Sequence, residues 1–594
     1  MRSDSPGSPA VPPPQLRPTC RSLGARRRLR LLTAVICIPA AVAATASCDG
    51  SSPGHRDAAG GPAHAWAGVS TLASSPVAGQ PPAPPSTAVY TQRGSNSRVG
   101  WNYSEKTLNT HNVNVADFGR VVTYPVNGKV YAQPLFVPGL HIDGGVHNVV
   151  IVATQTDNVY AFDADATGPA PAPLWHTSFL VHGATPVNTT TILSCPYIVP
   201  TIGIINTPVI DGATDTMYLV AVTLQNSQMV DTLHAIDIST GRDRVPPVVI
   251  QASAHGTGMG ASHGVLRFDA HKEQPHAALL YLSGVVYIAF ASYCDRPPNH
   301  GWVLGYRGGD LRQVVVYNTT PNSYDGGIWQ SATGMAADST GNMFAMTANG
   351  GFDLGTGGHD ASDTLVELRR AGGTLRLMDY FTPYYQACLN NGDQDFGSAG
   401  PLLLPHEVLA IGKEGAITVL NRASLGGYHT IPDPCHHMND THVDHAIQEL
   451  PPQTVVGGVW GAETYWQGAH QAFVYTAGES DHIKAWRLVH GKLVSPPASF
   501  AAETLDYPGA TLVGSSKGVN PQSAILWVTD QEKGTALRAY SATNLAHELY
   551  NSQENAARDG LPRNGYDNFC AATVADGRVF VGTSGELAVY GLLK

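Results

Sequence analysis

Charged side chains are scarce in this sequence. Asp, Glu, Lys and Arg make up 14% of its 594 residues, whereas hydrophobic residues make up 43%. The chain can therefore bury a large core, and its 63 glycines and 42 prolines supply many turns. Convincing helical periodicity is missing throughout, so a turn-rich, all-β protein is the first expectation.

Several enzyme signatures are missing as well. The sequence contains no Walker loop, no HExxH and no GxSxG nucleophile elbow, and GTGMG at 256–260 does not open a helix. No CxxCH is present, so no covalent haem is expected and electrons from any oxidation would leave through an external acceptor. These absences argue against nucleotide-binding proteins and hydrolases.

Long hydrophobic runs are absent except near the N-terminus. There an arginine run at 26–30 precedes LLTAVICIPAAVAATAS and Cys48, which predicts an export signal over residues 1–47. Residues 45–48 resemble a bacterial lipobox without its usual Leu, so lipidation of Cys48 and plain cleavage after Ala46 both stay open, and the paired arginines loosely resemble a twin-arginine signal. A retained anchor is the alternative, although 17 residues are short for a membrane span.

Basic residues are few once the signal is removed. Residues 1–47 contain seven Arg and one Asp, which leaves 28 basic and 45 acidic side chains, a net charge of −17. This balance argues against nucleic acid and anionic membrane surfaces as partners. The partner is expected to be a small-molecule substrate or an envelope protein, with membrane contact only through a lipid at Cys48. The expected location is the periplasm or cell envelope, or the exterior if the protein is secreted.

Residues 48–97 are rich in Pro, Gly, Ser and Ala, a composition that predicts a disordered tether before one folded domain at 98–594. Five cysteines follow the tether, and none forms a CxxC motif. This pattern predicts an oxidising compartment, one or two disulfides and at least one unpaired thiol, with the pairing left open.

The stretch VYAFDADATG at 159–168 belongs to a repeat of a strand, a polar or glycine-containing turn and a second strand. Eight copies begin near residues 149, 217, 286, 343, 408, 473, 526 and 579. Their mean spacing of about 61 residues leaves room for two more strands in each unit, which predicts an eight-bladed β-propeller. The last copy ends at the C-terminus, so a strand at 119–126 is expected to close the ring and to protect its edge.

AFDADATG with Trp175, and AIDISTG at 235–241, resemble the tryptophan-docking repeat of pyrroloquinoline quinone (PQQ) proteins. This superfamily of eight-bladed propellers includes quinoprotein alcohol dehydrogenases and non-catalytic scaffolds for outer-membrane protein assembly. The resemblance covers roughly residues 100–594. More specifically, the sequence resembles exported bacterial PQQ-like propellers of unassigned function. It implies either a quinone-binding oxidoreductase that acts on an alcohol or sugar, or a ligand- or protein-binding scaffold in the cell envelope.

The resemblance also assigns roles to individual residues. It makes Asn349 a calcium ligand and either Asp393 or Asp395 the base that accepts a hydroxyl proton, although these acids are equally suited to shaping a glycine-rich turn. It places Lys413 on the quinone oxygens, with an exposed turn lysine paired with Glu414 as the alternative. Trp329 resembles the tryptophan that stacks on the quinone plane. The alternative is that Trp329 packs between blades.

Two departures from the dehydrogenase pattern argue against calcium, while PQQ stays open as a cofactor. Ser262 stands at or near the position of the family's calcium-binding Glu, and a hydroxyl is a poor substitute for a carboxylate on a hard cation. The adjacent-cysteine disulfide typical of many alcohol dehydrogenases is absent.

The segment CHHMNDTHVDH at 435–445 concentrates side chains of the kind that bind copper or zinc. These are Cys435, His436, His437, Met438, His442 and His445. Their spacing matches no zinc template and adjacent histidines on a loop need not converge, so a solvated loop between propeller strands is the favoured interpretation.

Overall fold

The computed structural model describes residues 87–181, 183–530, 535–562 and 569–593, and the export signal and Cys48 lie outside these ranges. Within them the chain is all-β and forms a β-propeller. The described part contains eight sheets of four to seven strands and one further two-stranded hairpin. We number the eight sheets I to VIII in chain order.

The first four sheets occupy residues 135 to 428. Sheet I comprises Leu135–Ile142, Gly145–Thr154, Asn158–Asp163 and Trp175–Ser178. Sheet II comprises Thr185–Asn188, Thr201–Ile202, Val209–Asp211, Thr216–Gln225, Gln228–Asp237, Arg242–Asp243 and Val248–Val249. Sheet III comprises Glu273–Gln274, Leu280–Leu282, Val285–Ser292, Trp302–Arg307 and Gln313–Asn318. Sheet IV comprises Ala336–Ala337, Met343–Met346, Leu365–Ala371, Thr374–Thr382 and Gly427–Tyr428.

The other four sheets complete the ring. Sheet V comprises Leu402–Leu403, Glu407–Ile411, Ile417–Asn421 and Gln448–Leu450. Sheet VI comprises Thr464–Gln467, Ala472–Thr476, His482–Val489, Lys492–Leu493 and Ser499–Thr504. Sheet VII comprises Trp101–Asn102, Leu512–Ser515, Ile525–Asp530, Ala536–Ser541 and Glu548–Asn551. Sheet VIII comprises Phe118–Lys129, Thr573–Ala575, Arg578–Gly582 and Ser584–Leu592.

The remaining regular elements are short. The two-stranded hairpin pairs Ser253–His255 with Val265–Arg267. The α-helices are Gln386–Gly392 and Ala556–Asp559, a π-helical turn spans Thr189–Leu193, and four 3₁₀ turns span Gln92–Gly94, Leu354–Thr356, Pro434–His436 and Pro521–Ser523. In the described part of the chain, no helix has both the length and the apolar character needed to cross a bilayer.

The eight predicted strand–turn–strand repeats are confirmed as antiparallel hairpins, one in each sheet. In sheet I, for example, Val149 pairs with Asp163 and Thr154 with Asn158. The hydrophobic runs in these hairpins are continuous because sheets pack face to face and bury both sides of their middle strands. Thus Ile151 of sheet I and Leu219 of sheet II share one core cluster.

Trp175 docks one sheet on the next, as the repeat pattern predicts. Its indole Nε1 in sheet I donates a hydrogen bond to the carbonyl oxygen of Ile238, 2.8 Å away and directly after the strand Gln228–Asp237 of sheet II. Gly241 lies under the ring with φ of +69°, and a Cβ there would come within 2.5 Å of the indole. Glycine is therefore required at this contact, both for its backbone conformation and for space.

The N-terminal strand closes the ring, as predicted. Phe118–Lys129 pairs antiparallel with the C-terminal strand Ser584–Leu592, with Thr123 opposite Ala588. The two ends of the domain therefore share sheet VIII, which covers the edge that the last repeat would otherwise expose.

The predicted boundary of the tether at residue 97 is wrong, because residues 87–97 pack against the propeller. The amide of Val89 donates to the carbonyl of Phe136 at 2.9 Å, and the side chains of Arg93 and Arg98 are fully buried. Carbonyl groups between residues 96 and 100 then accept hydrogen bonds from the first strands of successive sheets. These are Ala337 N to Asn96 O, Leu403 N to Ser97 O, Tyr465 N to Val99 O and Gly514 N to Gly100 O.

Two disulfides join Cys195 to Cys294 and Cys388 to Cys435, which confirms the expectation of one or two. The fifth cysteine past the tether, Cys570, is a buried thiol 3.6 Å from the carbonyl oxygen of Ala132. Disulfides of this kind persist outside the reducing cytosol.

Candidate functional site

One face of the ring carries the candidate residues. We call it the site face and define it by the hairpin turns 155–157, 293–301, 347–364, 412–416 and 477–481. Because neighbouring strands are antiparallel, the connections between successive sheets emerge on this same face. Lys413 and Asn349 belong to hairpin turns, whereas Trp329, Asp393 and Asp395 belong to the connections.

Lys413 is the centre of a charged cluster. Its Nζ lies 2.5 Å from Oδ2 of Asp395 and 3.3 Å from Oδ1 of Asp393. The lysine and Asp395 side chains are buried, with 13% and 7% of their surfaces exposed, whereas that of Asp393 is 79% exposed. The structure therefore brings three predicted residues together, but with different solvent access for the two acids.

Asn349 joins the same cluster through two hydrogen bonds. Its backbone amide donates to Oδ1 of Asp395 at 3.0 Å, and its side-chain Nδ2 donates to Oδ1 of Asp393 at 3.1 Å. Its buried amide oxygen, Oδ1, accepts no hydrogen bond from the part of the protein described. A buried acceptor without a partner favours a ligand that donates a hydrogen bond to it.

Further acids lie close enough to interact with the cluster. Burial raises the pKa of Asp295. The charges of Asp395 and Asp393 raise this pKa further, and the charge of Lys413 lowers it. Burial and the neighbouring Asp295 raise the pKa of Asp325 to about 6. For Lys413, burial acts to lower the pKa, but the carboxylates of Asp395 and Asp393 outweigh it and raise the pKa.

The alternative that Lys413 pairs with Glu414 is wrong. The Glu414 side chain is buried, and neither of its carboxyl oxygens accepts a hydrogen bond from the described residues. Burial raises the pKa of Glu414 to about 8, so the group is protonated near neutral pH. The sequence alone does not show that Lys413 turns toward Asp395 and Asp393 rather than toward Glu414.

Two aromatic residues that sequence reasoning missed complete this side of the site. Nζ of Lys413 lies 4.9 Å from the ring centroid of Trp460, within the range of a cation–π interaction. Trp460 in turn meets Tyr507 edge to face at 5.3 Å. The indole Nε1 of Trp460 is buried without a hydrogen-bond partner among the described residues. Both residues lie on connections between sheets, where no repeat pattern marks them.

Trp329 packs with two other aromatic side chains, whereas the ring beside Lys413 is that of Trp460. Trp329 is half-buried and meets Tyr197 at 6.0 Å and His276 at 5.5 Å, both edge to face. Its Nε1 is also buried without a partner in the described part of the chain. Burial raises the pKa of Tyr197, and Asp295 and Tyr507 raise it further.

Two cavities of the structure lie away from these residues. One of about 220 Å³ lies beside the N-terminal segment and is lined by Arg93, Trp101 and Gln133. Another of about 450 Å³ lies between Ser253–His255 and the outer strands of sheets III and IV. Neither is lined by a candidate residue.

No protein-family model and no curated protein sequence matches the chain. Its structure is similar to quinohemoprotein alcohol dehydrogenase from Comamonas testosteroni, with a TM-score of 0.55 and 13% identity over 86% of this chain and 81% of that one. The chain shares the fold of the quinoprotein alcohol dehydrogenases. A europium-containing methanol dehydrogenase matches with a TM-score of 0.53 and 11% identity over 86% and 98% of the two chains. BamB from Moraxella catarrhalis matches with a TM-score of 0.41 and 12% identity over 80% and 99%.

The residues present do not fit calcium. Both carboxylate oxygens of Asp395 are already engaged, one by Lys413 and one by the amide of Asn349. Ser262, which the resemblance places at or near the calcium-binding Glu of the dehydrogenases, lies on the exposed turn of the two-stranded hairpin and pairs with Val265. Across the described ranges, no three His, Cys, Asp or Glu side chains stand arranged to hold a metal ion. Calcium requires about six to eight oxygen ligands, more than this cluster offers.

The cluster does not fit the quinone either. PQQ is a polycarboxylate and needs cations around it. Here the Lys413 ammonium is already neutralised by two carboxylates, those of Asp395 and Asp393. An added anion would be repelled, so the site favours a neutral ligand.

The histidine-rich segment does not form the metal site that its composition suggests. Cys435 is consumed by its disulfide with Cys388. His436 and His437 are exposed, and each pairs through Nδ1 with a nearby acid, Asp433 at 2.6 Å and Asp440 at 3.0 Å. These two histidines belong to a solvated loop, which is the interpretation of the segment that the sequence favours.

Proposed function

We propose that the protein is an exported propeller that binds a neutral, hydroxyl-rich small molecule, an alcohol or a sugar, on its site face. The observation that carries this proposal is a set of buried polar atoms without partners in the described residues. These atoms are the acceptor Oδ1 of Asn349 and the donors Nε1 of Trp460 and Nε1 of Trp329. A hydroxyl group both donates and accepts a hydrogen bond, so a polyol satisfies atoms of both kinds.

The neighbouring groups suit the same class of ligand. Asp393 is exposed beside Asn349 and accepts hydrogen bonds without first being desolvated. Trp460 and Tyr507 offer aromatic surface on which the C–H face of a sugar packs. The excess of carboxylates over ammonium disfavours an anionic ligand and leaves a neutral one unaffected.

An oxidoreductase acting on the same alcohols or sugars is the second candidate. It is favoured by one observation, the convergence of Lys413, Asp395 and Asn349 in the arrangement that the dehydrogenase resemblance implies. In that role either carboxylate would accept the proton of the substrate hydroxyl, and the redox chemistry would come from a bound quinone. The poor fit of the quinone makes this the weaker proposal. A binding scaffold for an envelope protein is the remaining alternative.

Titration of the purified protein with glucose, maltose and glycerol tests the first proposal, with tryptophan fluorescence as the readout. We expect saturable quenching by at least one of them, weakened tenfold or more by Asn349→Ala. Asp310→Ala is the matched control, because Asp310 is an exposed acid in a turn at the opposite end of its sheet. Absence of any saturable change with all three compounds would contradict the proposal.

A second titration, with PQQ in the presence and absence of calcium, separates the two candidates. We expect no saturable binding of PQQ under either condition. Calcium-dependent binding that disappears in Lys413→Ala would instead establish the quinone-binding oxidoreductase.

We further propose eight blades, one for each sheet of four or more strands, and a periplasmic or envelope location reached through the export signal. The two disulfides support an oxidising compartment. Whether a lipid holds the chain at Cys48 is tested by mass spectrometry of the mature N-terminus, where acylated Cys48 and cleavage after Ala46 give different masses.

A further inference from the structure

The cavity of about 450 Å³ between the outer strands of sheets III and IV has the size of a ligand site. Small-molecule sites typically measure roughly 300–1,000 Å³. Four elements form its walls, namely the hairpin strand Ser253–His255, the end of Gln313–Asn318, the turn at 354–359 and the start of Thr374–Thr382. None of the candidate residues of the site face lines it, so the cavity is separate from that site.

Hydrogen bonds between backbones hold these walls together. The amide of Val316 donates to the carbonyl of Gly373 at 3.1 Å, which joins the outer strands of the two sheets. The amide of Gly258 donates to the carbonyl of Pro321 at 2.9 Å, which joins the hairpin to the segment that follows sheet III. A Cβ on Gly256 would collide with the same carbonyl oxygen, so this glycine of the GTGMG motif permits the close approach. The cavity is therefore formed before any ligand enters.

Apolar side chains form much of the lining. Tyr317, Leu354 and Leu377 come from three different elements, and each is half-buried against the core that sheets III and IV share. All three line the cavity, and the buried Leu375 lines it as well. An apolar ligand packed on them would remove apolar surface from water, which favours binding.

Polar side chains line the same cavity. His255 and His359 are exposed, and neither imidazole makes a hydrogen bond within the described ranges. Asn318 is only 6% exposed, and its Oδ1 accepts the amide of Thr320 at 3.0 Å. The Nδ2 of Asn318 is buried and has no hydrogen-bond partner in the described part of the chain. A buried donor without a partner favours a ligand that brings an acceptor oxygen.

The charge of the lining narrows the class of ligand. Neither an acid nor a lysine or arginine is among the described residues that line the cavity. An ionic group in a ligand would therefore lose water without gaining an opposite charge. A polyol would leave the apolar wall uncovered, so a neutral molecule with both an apolar and a polar part fits best.

We propose that this cavity binds a neutral amphipathic molecule, which packs an apolar ring system on Tyr317, Leu354 and Leu377. One carbonyl or hydroxyl oxygen of the ligand accepts a hydrogen bond from Asn318 or from one of the two histidines. This ligand differs in class from the hydroxyl-rich molecule proposed for the site face, and the inference does not depend on that proposal.

The test is a titration of the purified protein with prodan, a neutral naphthalene ketone whose emission moves to shorter wavelength in apolar surroundings. We expect a saturable shift with one probe bound per chain. Ser253→Trp fills the cavity and Leu377→Glu places a charge in its wall, so each is expected to weaken binding tenfold or more. Ser253 is exposed, so its substitution leaves the core intact.

Asn318→Asp tests the polar end of the site. The variant keeps an oxygen for the amide of Thr320 but replaces the donor Nδ2 by an acceptor, and it is expected to weaken binding fivefold or more. If circular dichroism shows that this variant does not fold, the double variant His255→Ala, His359→Ala replaces it, with the same expectation. Unchanged affinity in the folded variant would contradict recognition of the ligand's oxygen and overturn the proposed class.

Phe500→Ala is the matched control, because Phe500 is a 57% exposed aromatic residue of sheet VI, away from the cavity. Its affinity for prodan is expected to stay within a factor of two. Loss of binding in this variant would show adsorption to exposed aromatic surface and overturn the proposal.

Three further outcomes would also overturn it. They are the absence of a saturable shift up to the solubility limit of prodan, unchanged affinity in Ser253→Trp, and displacement of the probe by glucose, maltose or glycerol. Displacement would place the probe on the site face. Failure of these three compounds to bind at all leaves the prodan result unaffected, so the two proposals fail separately.

Discussion

Lys413 has a structural role whichever ligand the site face binds. It neutralises Asp395, a carboxylate that is 93% removed from solvent by the surrounding turns, and it also packs on Trp460. Removing one partner of a buried ion pair leaves the other charge uncompensated, which costs more than the pair itself contributes.

We therefore expect Lys413→Met to destabilise the protein by about 3 kcal/mol. Asp393→Asn is the matched control, because Asp393 contacts the same lysine but is mostly exposed, and such surface pairs contribute about 0.5 kcal/mol or less. Urea denaturation monitored by tryptophan fluorescence measures both. Equal effects of the two substitutions would show that Asp395 does not depend on the lysine charge.

At the scale of the elements, the N-terminal segment 87–104 is not part of the repeats but connects several sheets to one another. Its backbone carbonyls accept hydrogen bonds from the first strands of several sheets in succession. Arg98 fixes it from within, because its guanidinium donates to the carbonyl oxygens of Gln92, Leu279 and Met335 at 2.9 to 3.1 Å. A single side chain thus ties the segment to sheets III and IV.

Arg98→Lys is expected to destabilise the protein by about 3 kcal/mol, because a lysine ammonium cannot reproduce this planar set of donors and leaves buried carbonyls unpaired. Arg242→Lys, at an exposed arginine of sheet II, is expected to change stability by less than about 0.5 kcal/mol. Both are measured by chemical denaturation. A tolerated Arg98→Lys would mean that the segment is held by its backbone alone.

The same elements show how far the sequence predicts the structure. The hairpins, the docking of Trp175 and the closing strand follow from local patterns of hydrophobic residues and turns that recur in each sheet. The convergence of Asn349, Asp395 and Lys413 follows because the resemblance fixes their positions on two hairpin turns and one connection of the same face. These features are readable because each depends on residues close together in sequence or on a repeated unit.

The rest depends on contacts that no local pattern records. Residues 87–97 look like a linker because their hydrogen bonds are made by the backbone to distant strands. Trp460 and Tyr507 lie on irregular connections, so nothing in the sequence associates them with Lys413. His255 and His359 line one cavity, and only the folded chain brings them together.

At the scale of the whole molecule, buried acids set the response to pH. Burial is the first cause that raises the pKa of Glu273, Glu414 and Asp444 to about 8 and that of Glu463 to about 7. In the unfolded chain these groups ionise above about pH 4.5. Between pH 4.5 and 8 the folded chain therefore holds more protons than the unfolded chain, and the free energy of unfolding falls as the pH rises.

The opposite contribution comes from His276, whose pKa burial lowers to about 4. Below pH 6.5 the unfolded chain protonates this residue while the folded chain does not, so its contribution to stability falls as the pH falls. Burial also lowers the pKa of His176, His300 and His429. The acids whose pKa burial raises are more numerous, since Asp157, Asp231 and Asp363 join the four above, and they decide the sign above pH 5.5. We expect a higher urea midpoint at pH 5.5 than at pH 8.0, measured with a chelator present so that no metal ion contributes.

Glu414→Gln tests the cause of this slope at a single residue. The amide cannot ionise, so the variant is expected to lose less stability than the wild type between pH 5.5 and 8.0, because one proton less is released on unfolding. Asp310→Asn is the control: Asp310 is exposed and its pKa is lowered to about 2 by Arg307, so it stays ionised throughout this range. An unchanged slope in Glu414→Gln would mean that water reaches this carboxyl group and that its charge is solvated inside the fold.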